Sequence, residues 1–236
     1  MKRFFSLTLA ILLLCGLTAC KQPTGSDTPD VPAGPSVTIR VEGISENLAY
    51  DTAYPLTEGA SALDLACALL DKLDIPYDTD SGYLTSVGND QAGAFGGWDG
   101  FVFYLNNEES LAAPDAVIPQ EGDTLLFCYA DLNGEPPTLL PKVEAVRGAD
   151  GQVTLTVLGG KLTFQDETPV MEYVPVADAE ITVNEVLYAT DADGCFVLDA
   201  DLSKKASVTM QVEQYTEDGR PLLIRLAPDF VLELPQ

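Results

Sequence analysis

The chain contains no histidine among its 236 residues. That single absence removes the Ser-His-Asp and Cys-His nucleophile pairs and any zinc site built on imidazole. Basic residues are also scarce, with 12 Lys and Arg against 37 Asp and Glu, for a formal charge of −25. Nucleic acid is excluded as a partner, because binding phosphates requires basic groups that displace counterions. The same charge repels anionic headgroups, so attachment to a membrane must be covalent or hydrophobic. Aromatic residues are only 8% of the chain and there is one tryptophan. What remains is an apolar fraction of 46%, enough to build packed cores, in a length that suits one or two domains.

The acidic residues are spread along the chain rather than clustered. With so many carboxylates, some pair always falls at a separation suited to glycoside hydrolysis, so such a pair carries no information. Most of them read as solvated surface that supports solubility. The segment Asp191-Ala192-Asp193-Gly194 has the look of a calcium loop, but the twelfth position is Leu202 rather than a bidentate glutamate. It reads instead as a hairpin turn. No catalytic activity is expected.

Lys2 and Arg3 precede an apolar stretch from Phe4 to Leu14, followed by Leu17-Thr18-Ala19-Cys20. The apolar stretch is too short for a stable span and reads as a secretory signal. Its ending resembles the lipobox of bacterial lipoproteins. The resemblance implies cleavage after residue 19 and acylation of Cys20, hence an extracytoplasmic protein held to the cell membrane by lipid. Two or more acyl chains suffice for stable anchoring. Residues 20–35 then form the lipidated Cys and a tether rich in Pro, Gly, Ser, Thr and Asp, expected to be extended and mobile.

From Ser36 to Leu132 the pattern is strand, strand, helix, then strands, an α+β order. Val37, Ile39 and Val41 alternate with Thr38, Arg40 and Glu42, the signature of a half-buried strand. Leu48–Leu56 reads as its partner. A helix opens at Glu58–Ser61, places Leu63, Cys67, Leu70 and Leu73 on one face, and ends at Pro76. Strands are predicted over Tyr83–Val87, Phe101–Leu105 and Thr124–Ala130. A glycine-rich loop, Gly93 to Gly100, precedes the second of these, and Asn106-Asn107 turns the chain after it. Flexible glycines permit close backbone approach to a ligand, and an indole offers a large rigid face. Trp98 therefore reads either as core or as a ligand platform.

The segments Val37–Gly43, Glu58–Asp64, Gly97–Asn107 and Gly122–Phe127, in this order, resemble the β-grasp domain at the carboxyl end of transcobalamin and intrinsic factor. Many secreted bacterial proteins carry a similar domain. The resemblance implies that the loop before the aromatic strand, Phe95, Gly96, Gly97, Trp98 and Asp99, contacts a ligand, with cobalamin or another corrinoid as the most specific candidate. These residues contain no segment readable as the helical barrel that holds the other side of the vitamin there, and no imidazole to ligate cobalt. A second surface, another protein or a smaller ligand would have to complete the site.

Asn133–Pro137 is rich in turn residues and marks the boundary, with 133–140 as linker. Beyond it, over 141–236, alternation and turns recur without a helix. Val153–Val157, Ile181–Val183, Val186–Thr190, Cys195–Leu198, Ser207–Val212 and Leu222–Leu226 read as short strands of an all-β sandwich. Pro175–Val183 together with Tyr188–Phe196 resembles the carboxypeptidase-regulatory-like, transthyretin-type sandwich of bacterial surface proteins, which implies a spacer or adhesion role. Cys67 and Cys128 read as small buried thiols, although an oxidising compartment would permit their pairing. Cys195 is expected to be buried and free. Two functions stay open: a lipid-anchored binding module for a soluble ligand, or a surface adhesion or scaffold protein that binds protein or glycan.

Overall fold

The structure is a computed structural model that describes residues 34–236, all within one compact unit. The signal segment 1–19, the lipidation residue Cys20 and nearly all of the tether lie outside the described residues. The chain is β-rich, with several sheets and a single α-helix among the described residues. No helix of these residues is long and apolar enough to cross a membrane.

Strands β1 (Ser36–Glu42) and β2 (Asn47–Pro55) form an antiparallel pair, as their alternation predicts. Helix α1 (Ala62–Lys72) starts at a capping box: Ser61 Oγ accepts from the Asp64 amide at 3.1 Å, and Asp64 accepts from the Ser61 amide at 2.9 Å. The helix stops before Pro76, at Leu73, where Asp74 takes a left-handed conformation with φ of 57°. Its buried face also differs from expectation. Ala62, Leu65, Ala66, Leu69 and Leu70 point inward, while Leu63 and Cys67 are half-buried and Leu73 is exposed. The small side chains of Ala62 and Ala66 bring the helix close to the sheet and turn the Leu65–Leu69 row inward.

Short strands β3 (Tyr77–Asp80), β4 (Tyr83–Val87) and β5 (Asp90–Gln91) make a three-stranded sheet. Then come β6 (Gly100–Leu105), β7 (Glu108–Glu109) and β8 (Thr124–Ala130). Asn106 and Asn107 both have positive φ, which short polar side chains tolerate in a two-residue hairpin turn. The main sheet has the order β2-β1-β8-β6-β7, with β1 and β8 parallel at its centre. Residues of β1 and β8 on one face, including Ile39, Val41, Leu125 and Phe127, pack on α1 as the first core.

The second half holds β9 (Leu140–Arg147), β10 (Val153–Gln165), β11 (Thr168–Pro175), β12 (Glu180–Val183), β13 (Val186–Ala189), β14 (Cys195–Val197), β15 (Ser207–Glu213) and β16 (Val231–Glu233). They form two four-stranded sheets: β10 with β9, β11 and β14, and β13-β12-β15-β16. Val153, Leu155, Val157, Ile181, Val183 and Val212 lie in the second core. Asp191 to Gly194 is a turn: the Asp191 carboxylate accepts from the amides of Asp193 and Cys195, and Gly194 has φ of 73°. Cys195 is half-buried, not buried.

Leu222–Leu226, read as a strand, makes one isolated bridge, Leu139 with Leu223, and a second, Tyr215 with Pro221, lies just before it. Its side chains diverge to different partners. Leu223 and Leu226 enter the second core, Ile224 enters a third core with Tyr104, Leu126, Cys128 and Leu140, and Arg225 reaches Glu42 at 2.8 Å. The second face of the main sheet is thus covered by the second half of the chain. Arg40 is 8% exposed and Glu42 is 2% exposed. The same arrangement explains the cysteines. Cys128 points into the third core and Cys67 lies on the helix side, so the sheet stands between them and both are free.

Candidate functional site

The glycine loop before β6 is organised from within by one carboxylate. Asp99 is buried, and its two oxygens accept from the amides of Gly97 at 2.9 Å and Phe95 at 3.1 Å. The Tyr129 hydroxyl hydrogen-bonds to the same carboxylate, accepts from the Ala94 amide at 3.1 Å and lies 2.9 Å from the Gln91 carbonyl. Burial alone would raise the pKa of Asp99. The hydrogen bonds from Tyr129, Phe95 and Gly97 outweigh it and hold the carboxyl below its ordinary value. Burial, followed by the bond to Asp99, pushes the Tyr129 phenol up. The main chain closes the loop with Gly93 N to Asp99 O at 2.8 Å and Gly96 N to Gly93 O at 3.0 Å. Gly96 has φ of 81°, a conformation that a side chain would strain. The loop expected to be flexible is therefore tied at most of its length.

The five residues singled out in the sequence divide by role. Trp98 is 89% exposed, so its reading as core does not hold. Phe95 is half-buried and packs edge-to-face on Tyr129, with ring centroids 6.2 Å apart. Asp99 is spent on the loop itself. Gly96 and Gly97 are exposed main chain flanking the indole. Behind the loop, Asp131 pairs with Arg220 at 3.6 Å, and the Arg220 Nη2 donates to the Pro136 carbonyl at 3.0 Å. The linker is likewise bonded to the second half: Thr138 Oγ1 donates to Pro221 O at 2.6 Å, and Leu139 N to Leu222 O at 2.9 Å.

A second concavity, which the sequence reading does not contain, lies between the outer face of the main sheet and the second half. It encloses about 450 Å³ and none of its lining comes from the glycine loop. Arg40, Lys142 and Arg225 line it together with Leu140, Tyr173 and Phe230. These residues are scattered over the whole chain, and no local pattern joins them. The only sequence signal is their type: basic side chains in a chain of charge −25.

The arrangement of the glycine loop suits presentation. A rigid loop displays one large aromatic face to solvent, with main-chain groups beside it, and the ionisable group at its base is already satisfied. An exposed indole beside main-chain donors and acceptors is the kind of surface that can make apolar and hydrogen-bonding contacts. Comparison with known proteins finds no family model, no curated protein and no solved structure that matches the chain.

Proposed function

We propose that the chain is a non-catalytic lipoprotein, anchored outside the cytoplasmic membrane through acylated Cys20, that binds a soluble ligand through its glycine loop. In this reading residues 36–132 are a transcobalamin-like β-grasp domain. Residues 141–236 are a transthyretin-type sandwich that positions it. The order of the main sheet, with parallel central strands and one helix across one face, supports the first assignment. The two four-stranded sheets around one core support the second.

The observation that carries the proposal is Trp98, 89% exposed on a loop whose own hydrogen bonds fix it in place. An indole held out in water gains free energy when a flat apolar ligand covers it, at little ordering cost because the loop is already fixed. A corrinoid is the ligand class the resemblance suggests. The test is a titration of residues 34–236 with cobalamin and cobinamide, following fluorescence of the single tryptophan. Saturable quenching at roughly micromolar ligand, lost in Trp98→Ala, is the expected result. Because Trp98 is exposed, that variant should keep its stability within about 0.5 kcal/mol, so loss of binding is not loss of fold. A flat titration, after correction for absorption by the corrin, sinks the corrinoid.

One feature favours the second reading, a surface adhesion or scaffold protein. The β10–β11 hairpin turns at Asp166-Glu167 and carries Phe164, 62% exposed, near its tip. An aromatic on such an arm suits a protein or glycan partner.

A further inference from the structure

The cleft between the two halves has an electrostatic character opposite to the rest of the molecule. Among the described residues, three basic side chains line it and no acidic residue does. Two of the three cations are largely buried. Arg225 has its needs met: Nη2 donates to Glu42 Oε2 at 2.8 Å and Nη1 donates to the Tyr215 hydroxyl at 3.1 Å. Glu42 is also held by Asn47 Nδ2 at 2.9 Å. Arg40 has no such set. Its Nε lies 3.6 Å from Glu42 Oε1, and its guanidinium makes no hydrogen bond to another described residue. One carboxylate therefore serves two guanidinium groups, and the remaining charge faces the cleft.

The unbonded nitrogens of Arg40 are not sealed off but open to the cleft, so a bound acceptor there would take the place of water on a guanidinium that is otherwise largely buried. Burial pulls the Arg40 pKa down, and the nearby Glu42 only partly opposes this. The other carboxylates near the cleft are committed. Glu144 pairs with Lys142 at 2.7 Å, and Asp229 accepts from the Tyr50 hydroxyl at 2.6 Å. Lys142 stands at the exposed rim, 5.0 Å above the Tyr173 ring. The walls are apolar, with Leu126, Leu140, Leu226 and Phe230. A space of about 450 Å³ suits a small ligand.

We propose that this cleft binds a small amphipathic organic anion, one singly charged oxyanion group on an aliphatic or aromatic body. The oxyanion accepts from the Arg40 fork, which matches carboxylate, sulfonate or phosphate geometry. The body lies along Leu140 and Phe230, and Lys142 draws the anion in at the rim. The site is separate from the glycine loop, so it stands whether or not that loop binds a corrinoid.

Anilinonaphthalene sulfonate is the probe, titrated into residues 34–236, the compact unit that contains all three cores. Phenylnaphthylamine, the same aromatic body without the charge, is its partner. The sulfonate should saturate one site at roughly tens of micromolar, the range usual for a dye-sized ligand. Arg40→Met should weaken it on the order of tenfold, the usual worth of a charge-assisted hydrogen bond. Lys142→Glu should weaken it as well, whereas Lys204→Met, which removes an exposed, carboxylate-paired lysine charge elsewhere, should not. The neutral probe should bind more weakly and ignore all three changes. Two results would overturn the proposal: affinity within about twofold of the parent in both Arg40→Met and Lys142→Glu, against the loss a bonded charge gives, or equal affinity for the neutral probe. Competition by inorganic sulfate at the dye's own concentration would also overturn it, since the body would then add nothing. If Arg40→Met fails to fold, Lys142→Glu at the exposed rim decides alone.

Discussion

The main sheet buries both of its faces, and the two are built from different chemistry. Toward α1 it presents Val37, Ile39, Val41, Leu125 and Phe127, an apolar surface matched by the helix. Toward the second half it presents Thr38, Arg40, Glu42, Leu126 and Cys128, a mixed surface on which charges are largely buried. On the first face, contact area does the work, and any partner of suitable shape would serve. On the second, each charge needs a specific partner, and Glu42 finds one in Arg225, 183 residues away in the chain. Alternation in a strand separates its faces but does not say which of them water reaches.

The largest expected effect breaks the mixed face. Glu42→Gln leaves two guanidinium groups buried without a carboxylate and should cost about 3–5 kcal/mol in a denaturant titration, the usual result of removing one partner of a buried ion pair. Arg225→Met should cost less, roughly 1–2 kcal/mol, because Glu42 keeps Asn47 and gains Arg40 undivided. Equal costs for the two would mean that Glu42 does not serve both arginines, and the contrast between the faces would lose its basis.

A smaller effect concerns the glycine loop. Asp99→Asn keeps one acceptor oxygen where two amides and the Tyr129 hydroxyl now converge. It should cost about 1–3 kcal/mol, the price of unmet buried donors, and lower the fluorescence anisotropy of Trp98 as the loop loosens. Unchanged anisotropy would show that the loop is held by its main-chain bonds without the carboxylate.

Much of the first half is legible in the sequence because its signals are local. Thr124–Ala130 is a strand as read, Asn106-Asn107 is a turn as read, and Ser61 caps the helix that the Glu58–Ser61 segment announces. The misreadings are equally physical. Leu222–Leu226 is apolar because it serves two cores, and that demand resembles a strand. Strands β9 and β11 carry weak sequence signals, because one alternates between half-buried and exposed residues and the other is mostly exposed. For the glycine loop, the sequence supplied the residues but not their division into display and support, since Tyr129 lies 30 residues from Asp99. The basic cleft was not legible at all, because its parts meet only after the halves pack.

The smallest effect sharpens the comparison at the edge of the mixed face, where Tyr50 is only partly covered. Burial and then the hydrogen bond to Asp229 push its phenol from an ordinary value of 10.0 up to about 12. A tyrosine whose pKa is raised by folding holds its proton more tightly in the folded chain than in the unfolded one. Its contribution is therefore complete below pH 10 and disappears as pH rises through about 12. Tyr50→Phe removes the titrating group and the bond together. The variant should lose a little stability at neutral pH and show a flatter decline between pH 10 and 12 than the parent, read as denaturant midpoint against pH. Tyr77, also raised to about 12, titrates in the same window in both proteins and so cancels in the difference. An unchanged alkaline slope would mean that neither burial nor the Asp229 contact raises the Tyr50 phenol in solution and that the mixed face ends at Arg40, with Tyr50 left to water.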